Sequence, residues 1–74
     1  MNQQRRSEIR EVIPLLQQSL DSLSSVLFDE EEALENLPEN LQYSERGEQM
    51  QNNVDTLSDF VDVLQNMIDE LECM

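Results

Sequence analysis

The segment Leu37-Pro38-Glu39-Asn40-Leu41-Gln42-Tyr43-Ser44 lies at the middle of the 74-residue chain and decides its fold. Proline disfavours a helical conformation at the residue before it, so a helix arriving from the N-terminal side should end near Asn36 or Leu37. Ser44 is a good N-cap, and Glu45 follows it in the favourable first turn of a second helix. The segment therefore predicts a connection between two helices, over residues 37–44.

On the N-terminal side of this connection, apolar residues recur in steps of four and three, which places them on one side of a helix. The stripe skips Glu30 and contains Ile9, Ile13, Leu16, Leu20, Leu23, Leu27, Leu34 and Leu37. Ser7 can cap its start, so we expect a first helix over about residues 7–36. Pro14 lies inside this helix and should either kink it near Arg10 to Pro14 or cause its first turns to fray.

A second apolar stripe follows the connection and keeps the same spacing without a gap. Its members are Met50, Val54, Leu57, Val61, Leu64, Ile68 and Leu71. It predicts a second helix over about residues 45–72. The two stripes are out of phase within the seven-residue repeat, so one continuous helix would move its apolar side to a new face at the middle. Two helices of similar length with a short connection are instead expected to lie antiparallel.

The predicted fold is all-α: a coiled-coil-like, antiparallel two-helix hairpin that forms a single domain over residues 1–74. If the chain reverses near Asn40, facing residues have numbers that add to about 81, as Ile13 and Ile68 do. A register shifted by one heptad fits as well. Leu41 and Tyr43 are expected to fold back over the end of the core. The arginines near the start of the first helix should then lie beside the acidic end of the second.

The hairpin has a thin core by composition and surplus apolar residues beside its stripes. Apolar residues make up 38% of the chain and aromatic residues 4%, and a chain this short buries a limited share of its surface. A second, weaker stripe on the first helix contains Val12, Leu15, Ser19, Ser22, Val26 and Ala33. On the second helix Phe60, Val63 and Met67 flank the main stripe. These positions favour pairing of two hairpins into a homodimeric four-helix bundle.

The charge balance is extreme, with 17 acidic residues against 4 arginines and a net charge of −13. Direct binding to nucleic acid or to an anionic membrane is not expected, since both depend on basic residues. A protein with a basic surface is the partner class that this charge suits, and high solubility is the alternative explanation. The candidate partner-binding residues are an acidic run and a stripe on the second helix: Asp29, Glu30, Glu31, Glu32, Glu35, Asp55, Asp59 and Asp62, with Phe60 and Met67 beside them.

The residue types needed for catalysis or cofactor binding are scarce. The chain has no histidine and no lysine, which removes the usual general bases and Schiff-base chemistry. Gly47 is the only glycine, so no glycine-rich phosphate loop exists, and the acidic run lacks the spacing of a calcium loop. The single cysteine, Cys73, favours a reducing, cytoplasmic setting. We therefore expect neither an enzyme nor a cofactor or metal site, and no membrane or targeting segment is apparent.

The segment Asp29 to Met50, DEEEALENLPENLQYSERGEQM, and the heptads that follow resemble a group of short acidic helical proteins of phages and mobile elements in Gram-positive bacteria. The shared pattern is a basic start (here Arg5 and Arg6), an acidic run, an N-L-P-E-x-L-Q turn and a closing amphipathic helix. It covers almost the whole chain. Pro14 and the serine-rich middle depart from the more charged first helix of that group. The group has no settled function, so the resemblance implies only a mobile-element origin.

Two functions from different classes remain open. The first is a non-catalytic interaction module, a self-associating helical hairpin that acts as an adaptor or assembly unit. The second is an acidic nucleic-acid mimic that blocks the basic groove of a host nucleic-acid-binding protein. A helix that folds only on its partner is a further alternative, because the core is small for the length of the chain.

Overall fold

The computed structural model describes residues 1–74 and contains three helices and no strand. Helix α1 spans Gln3–Glu35, the one-turn helix α2 spans Glu39–Gln42, and helix α3 spans Glu45–Glu72. The protein is therefore all-α, as the two apolar stripes predict.

Helices α1 and α3 pack against each other along the length of the molecule. The molecule measures 58 × 15 × 13 Å, whereas a single straight helix of this chain would be about 110 Å long. At the open end, where both termini lie, Ile9 of α1 and Leu71 of α3 line one surface depression. At the other end Leu34 and Gly47 line another. The two long helices are therefore antiparallel, and both pairs agree with the predicted register to within one residue.

Helix α1 begins earlier than its apolar stripe indicates. Its N-cap is Asn2, whose side-chain Oδ1 accepts a hydrogen bond of 2.9 Å from the backbone N–H of Arg5. The expectation that Ser7 caps the helix is therefore wrong. The helix continues without interruption through Pro14, so the first turns do not fray. The residues before Ile9 are good helix formers, and Asn2 supplies a cap that satisfies one of the free N–H groups.

The connection between α1 and α3 is compact and contains the extra turn α2. Helix α1 ends at Glu35, and Pro38 N-caps α2, where the N–H of Leu41 donates to the Pro38 carbonyl at 2.8 Å. Ser44 caps α3, as predicted: its Oγ accepts a hydrogen bond of 3.3 Å from the N–H of Gly47. Tyr43 is 86% exposed, so the expectation that it covers the end of the core is wrong.

Gly47 lies where α3 passes closest to the connection. It is one of three buried residues in the chain, although it falls in the first turn of a helix that is otherwise mostly exposed. A Cβ atom at this position would lie 2.6 Å from the Leu41 carbonyl oxygen and closer still to that of Gln42. Both neighbours are backbone atoms, which cannot move aside as a flexible side chain would. A residue without a side chain is therefore required here.

We expect Gly47→Ala to destabilise the hairpin, against the usual preference for alanine in a helix. Alanine is ordinarily favoured over glycine by about 1 kcal/mol at a helix interior position, but overpacking against fixed atoms costs about 1–3 kcal/mol. The melting temperature, followed by circular dichroism at fixed protein concentration, should fall by several degrees. The control is Asn52→Ala, at an exposed position of the same helix, which should leave the melting temperature unchanged or raise it slightly. A more stable Gly47→Ala variant would contradict the close approach.

The core between α1 and α3 consists of one ridge of side chains from each helix. Leu20 and Ile68 are the only buried apolar residues, 4% and 0% exposed. The other predicted core positions are half-buried: Ile13, Leu16, Leu23, Leu27, Val54, Leu57, Val61 and Leu64. The hairpin therefore leaves most of its apolar side chains in contact with solvent on at least one side.

Candidate interaction surfaces

One side of the hairpin carries exposed apolar side chains from both long helices. We call this surface the apolar face and define it by Val12, Leu15, Ser19, Ser22 and Val26 of α1 and Phe60, Val63 and Met67 of α3. At 3.6 residues per turn, each set is displaced by about a quarter turn from the core ridge of its own helix. The displacement has the same rotational sense in both helices. The two helices face each other and run in opposite directions. A displacement in the same rotational sense therefore puts both flanking sets on the same side of the hairpin.

Two surface depressions support this placement independently. Val12 lines the open-end depression together with Leu71. Further along, Glu30 of α1 lines a second depression with Thr56 and Leu57 of α3. Val12 and Glu30 are five turns apart on the same side of α1, and Thr56 is one turn from Phe60. Both depressions therefore open on the side of the hairpin that carries the two flanking sets.

The side chains of the apolar face are among the most exposed large apolar groups of the chain. Leu15 is 63% exposed, Phe60 57% and Met67 51%. Large contiguous apolar patches are uncommon on monomeric proteins and mark interaction surfaces. The structure thus places Phe60 and Met67, both candidate partner-binding residues, on a surface that α1 and α3 share.

The apolar face carries no charged residue over its central part, although 28% of the chain is charged. Between Val12 and Val26 the intervening residues on this side of α1 are Leu15, Ser19 and Ser22. The Ser19 hydroxyl donates a hydrogen bond of 3.0 Å to the Leu15 carbonyl within the same helix. Its polar group is therefore already paired, and a neighbouring helix could cover it without leaving an unsatisfied donor.

The predicted acidic stripe of α3 lies away from α1. Asp55, Asp59 and Asp62 are all exposed, and Gln51 Nε2 donates a hydrogen bond of 3.0 Å to Asp55 Oδ1 one turn further along the helix. The three carboxylates follow one another at steps of four and three and so form one row on a rigid helix. All three carboxylates are therefore accessible to solvent.

The acidic run near the connection is less uniform than its sequence suggests. Asp29, Glu31, Glu32 and Glu35 are exposed, but Glu30 is half-buried and lines the groove between the helices with Thr56. Glu30 occupies the position that the apolar stripe skips. Glu30 is therefore less accessible to a partner than the other four acidic residues of the run.

Charge is distributed very unevenly along the hairpin. The half next to the connection, residues 19–62, contains twelve acidic residues and one arginine, a net charge of −11. The half at the open end, residues 1–18 and 63–74, contains five acidic residues and three arginines, a net charge of −2. Arg5 borders the open-end depression together with Leu71, so this arginine lies beside the end of α3. The antiparallel fold brings about this asymmetry, which is not visible along the sequence.

Other kinds of site find no support in the side-chain arrangement. No group of three or more histidine, cysteine, aspartate or glutamate side chains is placed to hold a metal ion. None of the helices combines the length and the hydropathy that crossing a bilayer requires. No family model matches the chain, and comparisons with curated proteins and with solved structures give no match.

Proposed function

We propose that this chain is a non-catalytic protein–protein interaction module whose hairpin self-associates through the apolar face into a four-helix bundle. The observation that carries the proposal is an uncharged apolar surface shared by two helices, in a chain that buries only three of its 74 residues. A second hairpin laid on this face would turn two half-buried ridges into a closed core.

The size of the surface supports a second copy as the occupant. The broad side of the hairpin measures 58 by 15 Å, or about 900 Å² if it is covered completely. Stable protein–protein interfaces bury about 800 Å² on each partner. A symmetric dimer uses the same patch on both copies, so one apolar face is sufficient to form it.

The net charge of the chain also favours the apolar face as the dimer interface. Two molecules with a net charge of −13 repel each other over most approaches, and the repulsion is strongest where carboxylates would be desolvated. The apolar face is the side on which two copies can meet without bringing charged groups into the centre of the contact. Charged residues are generally depleted from the centres of protein interfaces.

We expect Leu15→Glu to abolish dimer formation while leaving the hairpin helical. Leu15 is exposed in the single hairpin, so the substitution should cost its fold little. In the dimer it would bury an unpaired carboxylate, which costs about 3–5 kcal/mol and weakens association about 100-fold or more. Sedimentation equilibrium at micromolar concentration measures the effect.

The matched control is Gln18→Glu, which adds the same charge to the exposed side of α1 that points away from α3. It should change the dissociation constant by less than about tenfold. An unsubstituted chain that sediments as a folded monomer at micromolar concentration would contradict the proposal. So would equal dissociation constants for the two variants.

The acidic nucleic-acid mimic is the second candidate, and the exposed row of Asp55, Asp59 and Asp62 favours it. Carboxylates spaced along a rigid helix can occupy phosphate positions in a basic groove. Binding to such a groove should weaken steeply with salt, compete with DNA or RNA, and be lost when the three aspartates are replaced by asparagine. Binding that is insensitive to both salt and this replacement would exclude it.

A further inference from the structure

We infer that two copies of the hairpin pair with their connections at opposite ends of the bundle. This inference rests on the self-association proposed above and specifies its geometry. Two symmetric arrangements would cover the apolar face: connections at the same end, with α1 over α3 of the second copy, or connections at opposite ends, with α1 over α1 and α3 over α3. Both make neighbouring helices antiparallel, so helix packing alone does not choose between them.

Charge distinguishes the two arrangements. With both connections at one end, two halves of net charge −11 would lie side by side, at helix spacings of about 8–10 Å. That spacing is comparable to the Debye length at physiological ionic strength, so salt would screen the repulsion only in part. With the connections at opposite ends, each half of charge −11 lies beside a half of charge −2. The second arrangement therefore separates the two strongly acidic halves.

The order of side chains along the apolar face supports the same arrangement. On α1 the face is symmetric about Ser19: Val12 and Val26 lie at equal distances on either side of it, as Leu15 and Ser22 do to within one residue. A two-fold axis through Ser19, perpendicular to the helices, therefore brings Val12 of one copy against Val26 of the other. Such an axis also places the small Ser19 residues where the two α1 helices cross.

The apolar-face side chains of α3 are also arranged symmetrically, about a centre near Val63. Phe60 and Met67 lie on either side of Val63, so the axis brings Phe60 of one copy against Met67 of the other. Sulfur–aromatic contacts of this kind are favourable. In the predicted register, Ser19 of α1 faces Asp62 of α3, one residue from Val63. A single axis therefore serves both helices.

The axis also brings the open end of one copy beside the connection end of the other. Glu30 of the second copy comes opposite Glu8, one turn from Arg5. Arg5 and Glu8 border the same open-end depression, so the long Arg5 side chain could extend towards both carboxylates in such a dimer. The opposite-end arrangement therefore provides a basic residue where the exposed Glu8 and the half-buried Glu30 meet.

The experiment is a distance measurement between nitroxide labels by pulsed electron spin resonance. Asn40, in the exposed turn α2, is replaced by cysteine in a Cys73→Ser background, and dimerisation of the labelled protein is checked by sedimentation. Connections at opposite ends predict a label separation close to the length of the hairpin, 58 Å. Connections at the same end would place the labels within about 20 Å, given normal helix spacings.

A second labelling site guards against an effect of the substitution in the turn. Native Cys73 is exposed and can be labelled in the unsubstituted chain. Cys73 lies about ten residues from the centre at Val63. The opposite-end arrangement therefore predicts that the two Cys73 labels are about 30 Å apart along the helix axes. A dimer with both separations of about 20 Å or less would overturn this inference and leave self-association intact. A monomer without intermolecular coupling would overturn self-association itself, and the inference with it.

Discussion

Ile68→Ala should unfold a large fraction of the protein at room temperature. Ile68 has no solvent exposure, and together with Leu20 it makes up the buried apolar part of the core. Truncating a buried isoleucine to alanine costs about 2–5 kcal/mol, because transfer free energy is lost and a cavity remains. The free energy of unfolding of a small domain lies near or below the lower end of the usual range of about 5–15 kcal/mol. This one substitution therefore removes much of the total stability.

Urea titration followed by circular dichroism at 222 nm measures this loss. Asn66→Ala is the matched control: it lies two residues away on the same helix and is exposed, so it should change the free energy of unfolding by less than about 0.5 kcal/mol. Because the proposed dimerisation would contribute to stability, the variants are compared at one protein concentration. If Ile68→Ala lowers the free energy of unfolding by less than about 1 kcal/mol, Ile68 does not pack in the interface between α1 and α3.

Pro14→Ala should raise the stability of the hairpin by up to about 3 kcal/mol, the cost of proline in a helix interior. Pro14 lies in the fourth turn of α1, where it cannot donate a hydrogen bond to the Arg10 carbonyl. Alanine restores that donor and removes the clash of the proline ring with the preceding turn. The substituted position is exposed, so no core contact is lost.

The midpoint of urea unfolding should therefore increase for Pro14→Ala. Ser25→Ala, at another exposed position of α1, controls for helix propensity alone and should add about 0.5 kcal/mol or less. If Pro14→Ala gives no increase, or lowers the midpoint, the proline bends α1 in a way that its packing on α3 requires.

The main features of the fold follow from local patterns in the sequence. Two apolar stripes with helical spacing predict two helices, and Pro38 with Ser44 predicts where the first ends and the second begins. The structure agrees at these points, because proline and N-cap chemistry act on neighbouring residues and do not depend on the rest of the fold. Helix starts outside the stripe are harder to predict. Apart from Met1, no apolar residue precedes Ile9, so periodicity gives no sign of the turns that begin at Gln3.

The remaining differences between the predictions and the structure depend on how separate segments of the chain pack against each other. Gly47 is buried only because α2 carries the backbone of Leu41 and Gln42 against it, and this path has no signature in a one-dimensional pattern. The half-burial of Glu30 depends on the groove that α3 forms beside it. The apolar face was visible as two flanking stripes, but their position on one side of the hairpin required the antiparallel arrangement of the helices.

The compact connection also sets the order in which the hairpin can close during folding. Leu34 and Gly47, which meet beside the connection, are about 13 residues apart in sequence, whereas Ile9 and Leu71 at the open end are about 62 apart. Forming the distant pair first would cost about 1.4 kcal/mol more chain entropy than forming the near pair. Assembly should therefore nucleate at the Ser44-capped turn and proceed towards the termini. The last contacts to form, around Leu71, are then the first to open, and amide protons there should exchange fastest.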